Sequence, residues 1–191
     1  MHQKTHQTAV VIIPPKEIWA SIQLIRQQHD TNYRRWMPHI TLMYPFRPRT
    51  EFDLVADQLS QTCQSQSPFW ICLKLFRFFS HHRSRYTIWL DPQPPSSTLG
   101  TSSHRQNPIK DLQKDLWKTI PDCDDTRRFK NGFTPHLSVG QAASKLNLDH
   151  FLSQFQLEWQ PLTFHVSEVY LIWRNDPPND VFEVARTITF S

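Results

Sequence analysis

Pro38-His39-Ile40-Thr41-Leu42 returns far downstream as Pro135-His136-Leu137-Ser138-Val139, so the chain writes one pattern twice: proline, histidine, apolar, hydroxyl, apolar. Side chains alternate between the two faces of a β-strand. Read as strands, the copies put His39 with Thr41, and His136 with Ser138, on one face. Ile40 with Leu42, and Leu137 with Val139, take the other. Each copy is then a strand with an apolar side for a core and an imidazole-plus-hydroxyl side for something polar. Two such strands side by side would set two histidines and two hydroxyls around one groove. A single His-x-Thr in a strand is a common accident, and most histidines are surface residues or hydrogen-bonded core partners. A second copy with the same preceding proline and the same alternation is much harder to obtain by chance.

Working outward, each motif is preceded by a basic and aromatic loop. Tyr33, Arg34, Arg35 and Trp36 lead into the first, and Arg127, Arg128, Lys130 and Phe133 approach the second. Arginines and aromatics beside a phosphate groove suit clamping a phosphate and stacking a base; the plainer reading is a loop whose aromatics cap the core edge. The two halves thus carry a weak internal symmetry, without the fixed short period of a solenoid.

On these two tetrapeptides, His39-Ile40-Thr41-Leu42 and His136-Leu137-Ser138-Val139, the chain resembles the 2H phosphoesterases, a family that includes RNA 2′,3′-cyclic phosphodiesterases, 2′-5′ RNA ligase-like proteins and 2′-5′ oligoadenylate phosphodiesterases. The resemblance implies one bilobal domain over residues 1–191, with two pseudo-symmetric lobes. It also implies His39, Thr41, His136 and Ser138 as the catalytic set and an RNA-type phosphodiester as substrate. Serine in place of threonine in the second motif is within the family pattern.

Elements read along the chain agree with an α+β class. Thr8 to Ile13 is a β-branched run that reads as a buried strand. Ile18, Ile22 and Ile25 predict a helix over 16–29, with Trp19 flanking its stripe. The first motif strand is expected over 39–46, with Tyr44 on the face of Ile40 and Leu42 and therefore in the core. Phe52, Val55 and Leu59 predict a helix over 51–60. Residues 69–80 and 86–91 read as a hairpin around the basic turn 81–85. Adjacent histidines on extended chain point opposite ways, so His81-His82 is a poor metal pair. Residues 92–108, rich in Pro, Ser and Thr and holding Gly100 and His104, read as a flexible loop. Helices are predicted over 109–120 and 148–157, one long strand over 162–174, and a last strand over 181–190 joined to it by the Asn175–Asp180 turn. The expected architecture is two antiparallel sheets, helices on the outer faces and a groove between lobes.

Composition narrows the setting. Of 191 residues, 38% are hydrophobic and 13% aromatic, enough for a core. The formal charge of +4, with arginine outnumbering lysine, suits a polyanionic partner and equally a basic solvated surface. Three cysteines without C-x-x-C spacing argue against a disulfide framework and a structural zinc. No leader pattern or membrane-length apolar run is present, so cytosol or nucleus, and a monomer off the membrane, are the expectations.

Two imidazoles facing one phosphate suit general acid–base work. An ordinary histidine titrates near pH 6.5, so one ring can be neutral and one protonated near neutrality. The hydroxyls would donate to non-bridging phosphate oxygens. The site supplies both proton transfers, so no metal or other cofactor is called for. Hydrolysis of a 2′,3′-cyclic phosphate is the expected reaction. Alternatives are 2′-5′ ligation or 2′-5′ oligoadenylate cleavage, a non-catalytic module that holds an RNA end or nucleotide, and an interaction scaffold.

Overall fold

The computed structural model describes residues 3–95, 107–129 and 132–191 of the chain. Eight strands and four helices follow one another as β1 (Thr8–Ile12), α1 (Trp19–His29), β2 (Ile40–Met43), α2 (Phe52–Cys63), β3 (Phe69–His81), β4 (Arg85–Gln93), α3 (Pro108–Thr119), β5 (Leu137–Ala142), α4 (Lys145–Glu158), β6 (Leu162–Val166), β7 (Glu168–Trp173) and β8 (Glu183–Thr189). They build two four-stranded antiparallel sheets, ordered β2-β1-β7-β8 and β5-β4-β3-β6. The α+β class and the two-sheet arrangement are as expected. Each motif begins an edge strand, and the two edges, β2 and β5, contact each other although they belong to different sheets.

One core serves both sheets. Val10, Ile40, Leu42 and Leu171 from the first join Ile71, Ile88, Leu137 and Val139 from the second, with Leu59 of α2, Leu116 of α3 and Leu148 of α4. Removing such apolar area from water is the main favourable contribution to folding. The helices run longer than their apolar stripes because caps set their ends. The Asn107 side chain accepts from the Ile109 N–H at 3.0 Å, with Pro108 in the first turn. The Ser144 hydroxyl accepts from the Asn147 N–H at 3.1 Å and starts α4 at Lys145. Helix α2 runs on to Cys63, whose buried side chain continues the Val55, Leu59 stripe.

Two expectations are corrected. The single strand predicted over 162–174 is two strands: β6 lies at the edge of the second sheet and β7 inside the first. The buried positions Phe164 and Val166 are followed by Val169 and Leu171, so the alternation slips by one residue at Ser167, where the chain changes sheets. Tyr44 does not join Ile40 and Leu42. A register shift between Val10 and Val11 precedes it, and its ring packs on the other side of the sheet with Val11 and Trp36. Of the loop expected over 92–108, residues 96–106 lie outside the described residues, Gly100 and His104 among them, as does Lys130.

The lobes meet where α1, which follows a strand of the first sheet, packs on β5 of the second. Gly140 makes that approach possible: a Cβ there would stand 2.7 Å from His29 Cβ and 3.1 Å from the His29 carbonyl oxygen. Gly140→Ala must therefore push α1 off β5. We expect a loss of about 1–3 kcal/mol, the usual cost of overpacking, read as a lower urea midpoint. A variant as stable as the parent would show that the contact yields freely.

Candidate active site

Burial alternates identically in the two motifs. Pro38, Ile40 and Leu42, like Pro135, Leu137 and Val139, are buried, while His39, Thr41, His136 and Ser138 are half-buried on the opposite face. The histidines are held in the same way. His39 Nδ1 lies 2.7 Å from the Met37 carbonyl oxygen, and His136 Nδ1 lies 2.8 Å from that of Thr134, two residues back in each case. A carbonyl only accepts, so each Nδ1 carries the proton and donates it. That fixes the tautomer and leaves Nε2 of both rings as the atom free to take or give a proton.

Aromatic rings brace each imidazole. Trp36 stacks on His39 with centroids 4.5 Å apart, and Phe182 stacks on the far side of Trp36 at 3.7 Å. His136 meets the edges of Phe79 at 5.0 Å and Trp89 at 5.9 Å, and these two stack on each other at 4.9 Å. Trp89 is opposite Ser138 across the β4–β5 pair and is 5% exposed. Behind Trp36 lies a buried ion pair. Arg26 Nε is 2.9 Å from Asp30 Oδ2, and its Nη2 donates to the Trp36 carbonyl at 2.9 Å.

Burial dominates the electrostatics. It holds the His39 ring down to about 4, against the Met37 carbonyl, which favours the charged form; the positive charges of Arg26 and His136 add to the depression and Asp30 opposes it. Burial also lowers His136, again against its carbonyl partner. Both shifts disfavour the charged form of the rings. The consequence for stability has a definite sign. The unfolded His39 takes a proton near pH 6.5 and the folded one near 4, so between these values the unfolded chain binds more protons. The stability His39 contributes is full above pH 6.5 and is lost as the pH falls toward 4. From pH 7 to pH 5 this amounts to about 2 kcal/mol. His39→Gln should flatten that part of the acid limb in urea titrations at the two pH values. An unchanged acid loss in the variant would refute the assignment.

The remaining predicted residues are spread around this centre. Trp36 is brought onto His39. Arg34 and Arg35 both reach the buried Asp180 carboxylate, Arg35 Nε at 2.7 Å, and the Arg34 charge holds that carboxyl below the usual range. Their charge is thus partly compensated, and they tie the loop before the first motif to the turn before β8, where the Phe182 N–H also donates to the Arg35 carbonyl. Tyr33 lies at the surface near the Arg26 guanidinium, 5.9 Å from its ring centre. Phe133 packs against the core. Arg26, Asp30, Phe79, Trp89, Asp180 and Phe182 were not evident from the motifs. Only the placing of Trp89 and Phe79 on strands, alternating with core residues, left a signal. Among the described residues no three His, Cys, Asp or Glu side chains converge as metal ligands, and no helix is long and apolar enough to cross a membrane.

Three comparisons bear on this geometry. A family model described as the 2′-5′ RNA ligase superfamily matches residues 14–178, both motifs included. A provisionally named phosphoesterase of Geobacillus kaustophilus is 27% identical over 150 residues, 78% of this chain and 77% of that protein. A Thermus thermophilus protein of known structure superposes with a TM-score of 0.62 at 14% identity, covering 95% of this chain and 96% of that one. Escherichia coli LigT, crystallised with 3′-AMP, gives 0.54 at 16% identity, with 97% and 98% covered. At such identities the structural likeness is one of fold.

Proposed function

The chain belongs to the 2′-5′ RNA ligase superfamily, the 2H phosphoesterases, and from that premise we propose that it is a metal-independent phosphodiesterase that opens an RNA-type 2′,3′-cyclic phosphate, with His39 and His136 as the proton carriers. The observation that carries the reading is the twinned histidine: two edge strands in contact, each presenting an imidazole with its Nδ1 proton committed to a backbone carbonyl and its Nε2 left for chemistry. The provisional phosphoesterase name of the Geobacillus relative supports a phosphoesterase-type enzyme. The crystallisation of LigT with 3′-AMP, NADP+ and ATP supports a nucleotide in the groove.

Burial favours the neutral form of both rings, and a phosphodiester carries one negative charge. Bound between the rings, that charge raises the proton affinity of both. Two imidazolium ions facing each other repel, so the pair takes up one proton and titrates as a unit. The neutral ring then accepts a proton from water as it attacks phosphorus, and the charged ring gives its proton to the departing ribose oxygen. Thr41 and Ser138 donate to the non-bridging oxygens as charge builds there. Near-symmetry leaves either histidine able to take either part, and the parts exchange in the ligation direction.

The test is a metal-free incubation with 2′,3′-cyclic nucleotides, 2′-5′-linked and 3′-5′-linked oligonucleotides, with products read for phosphate position. Ring opening to a single phosphate isomer supports the proposal. Cleavage confined to 2′-5′ linkages would replace it with the oligoadenylate-type reaction, and tight binding without product would reduce the protein to a binding module.

A further inference from the structure

Around the two motif hydroxyls the sheets carry the same register but different occupants. In the second sheet, Ser138 of β5 pairs with Trp89 of β4, and Trp89 pairs with Arg77 of β3, so these three stand in one row across the strands. In the first sheet, Thr41 of β2 pairs with Val11 of β1 and Val11 with Tyr170 of β7. Tyr170 and Arg77 therefore occupy equivalent places, two strands out from each motif hydroxyl. Two strand spacings are about 10 Å, a distance that the length of an arginine side chain shortens.

The occupants differ in charge. The Tyr170 hydroxyl donates to Glu168 on the same face, whereas the buried Asp180 of that lobe is taken up by Arg34 and Arg35. Arg77 is 55% exposed, on the face opposite the core residue Phe76. Its Nε is held by Asp91, a buried carboxylate that also accepts from Gln93 Nε2 at 2.6 Å. Asp91 thus orients the guanidinium and leaves its two outer nitrogens toward solvent, the pair that meets a phosphate in bidentate fashion. Among the described residues of that face of the second sheet, Asp91 is the only carboxylate, and it is the one that holds Arg77.

We propose that Arg77 reads the internucleotide phosphate next to the reacting one, so that the substrate is the end of an oligonucleotide, with its backbone leaving the groove over the second sheet. The inference rests on the phosphodiesterase reading for the identity of the reacting group, but its test does not. The probes are two dinucleotides ending in a 3′-phosphate, one joined by an ordinary 3′-5′ phosphodiester and one by a neutral methylphosphonate, with binding measured by calorimetry. The charged linkage is expected to bind roughly tenfold more tightly or better, the scale of one charge-assisted contact. In Arg77→Ala that advantage should vanish, and Arg77→Lys should restore part of it. A role confined to holding Asp91 would weaken both probes alike and leave their ratio untouched. An equal affinity of the parent for the two probes, or a ratio that survives Arg77→Ala, overturns the inference. Turnover of the matching cyclic-phosphate dinucleotides reports separately: if no substrate reacts, the enzymatic reading falls while the binding ratio still decides the place of Arg77.

Discussion

His136→Ala is expected to lower kcat on a 2′,3′-cyclic phosphate by about 10²–10⁴-fold, and His39→Ala by a similar factor, these being the usual contributions of a positioned acid or base. The ring in each case touches its aromatic braces, contacts that alanine removes without displacing the strand. Its one polar tie is to a carbonyl two residues back, and the strand's buried face is carried by the neighbouring aliphatics. Far-ultraviolet dichroism and the urea midpoint at pH 7 should therefore stay close to those of the parent, and His39→Ala should in addition lose less stability in acid. KM should rise as well, since the protonated ring pairs with the bound ester, but by less than kcat falls, because the proton transfers belong to the transition state. The double variant should be little slower than the worse single one, since a proton relay missing one member has little left to lose. If either single variant kept more than a tenth of the parent rate, that ring would have no part in proton transfer and the twinned-histidine mechanism would fall with it.

That so much of this centre could be read without coordinates has a physical cause. A strand's alternation is strictly local, so Pro-His-apolar-hydroxyl-apolar states both which side chains face the core and which face away from it, and the burial of the two motifs follows that pattern residue by residue. What was not legible depends on partners distant in the chain. The strand break at Ser167 shows the limit from one side. The phase slip between Val166 and Val169 was present in the letters, but only the pairing of β6 with β3 and of β7 with β1 gives it meaning as a change of sheet. Arg34 and Arg35 show it from the other. Two arginines beside a motif read as phosphate ligands until a carboxylate 145 or more positions away, Asp180, is found between them. The bracing of His136 by Phe79 and Trp89 likewise rests on a hairpin register that no local pattern specifies.

Arg26→Met should cost about 3–5 kcal/mol, because it removes one partner of a buried pair and leaves the other charged. The side chains of Arg26 and Asp30 are 2% and 3% exposed. Asp30 would keep the N–H of Asn32 at 2.9 Å and Nε2 of Gln141 at 3.1 Å, which is too little to replace a guanidinium in a site closed to water. The same arginine ties Gln23 of α1 to the Trp36 carbonyl, and Gln141, which accepts from Thr31 at 2.9 Å, carries the network onto β5. The loss should thus loosen the stack of Trp36 on His39 as well as the contact between lobes. Two measurements separate this from a simple packing defect. Adding Asp30→Asn should recover part of the stability, since removing both charges spares the cost of one left alone. The ring protons of His39 should titrate at a higher pH in Arg26→Met, because a neighbouring positive charge is gone while Asp30, which favours imidazolium, remains. The rise should be partial, for burial is the larger cause and is unchanged. A double variant no more stable than Arg26→Met, with a His39 titration that does not move, would show that the pair neither holds the lobes together nor sets the charge of the first histidine.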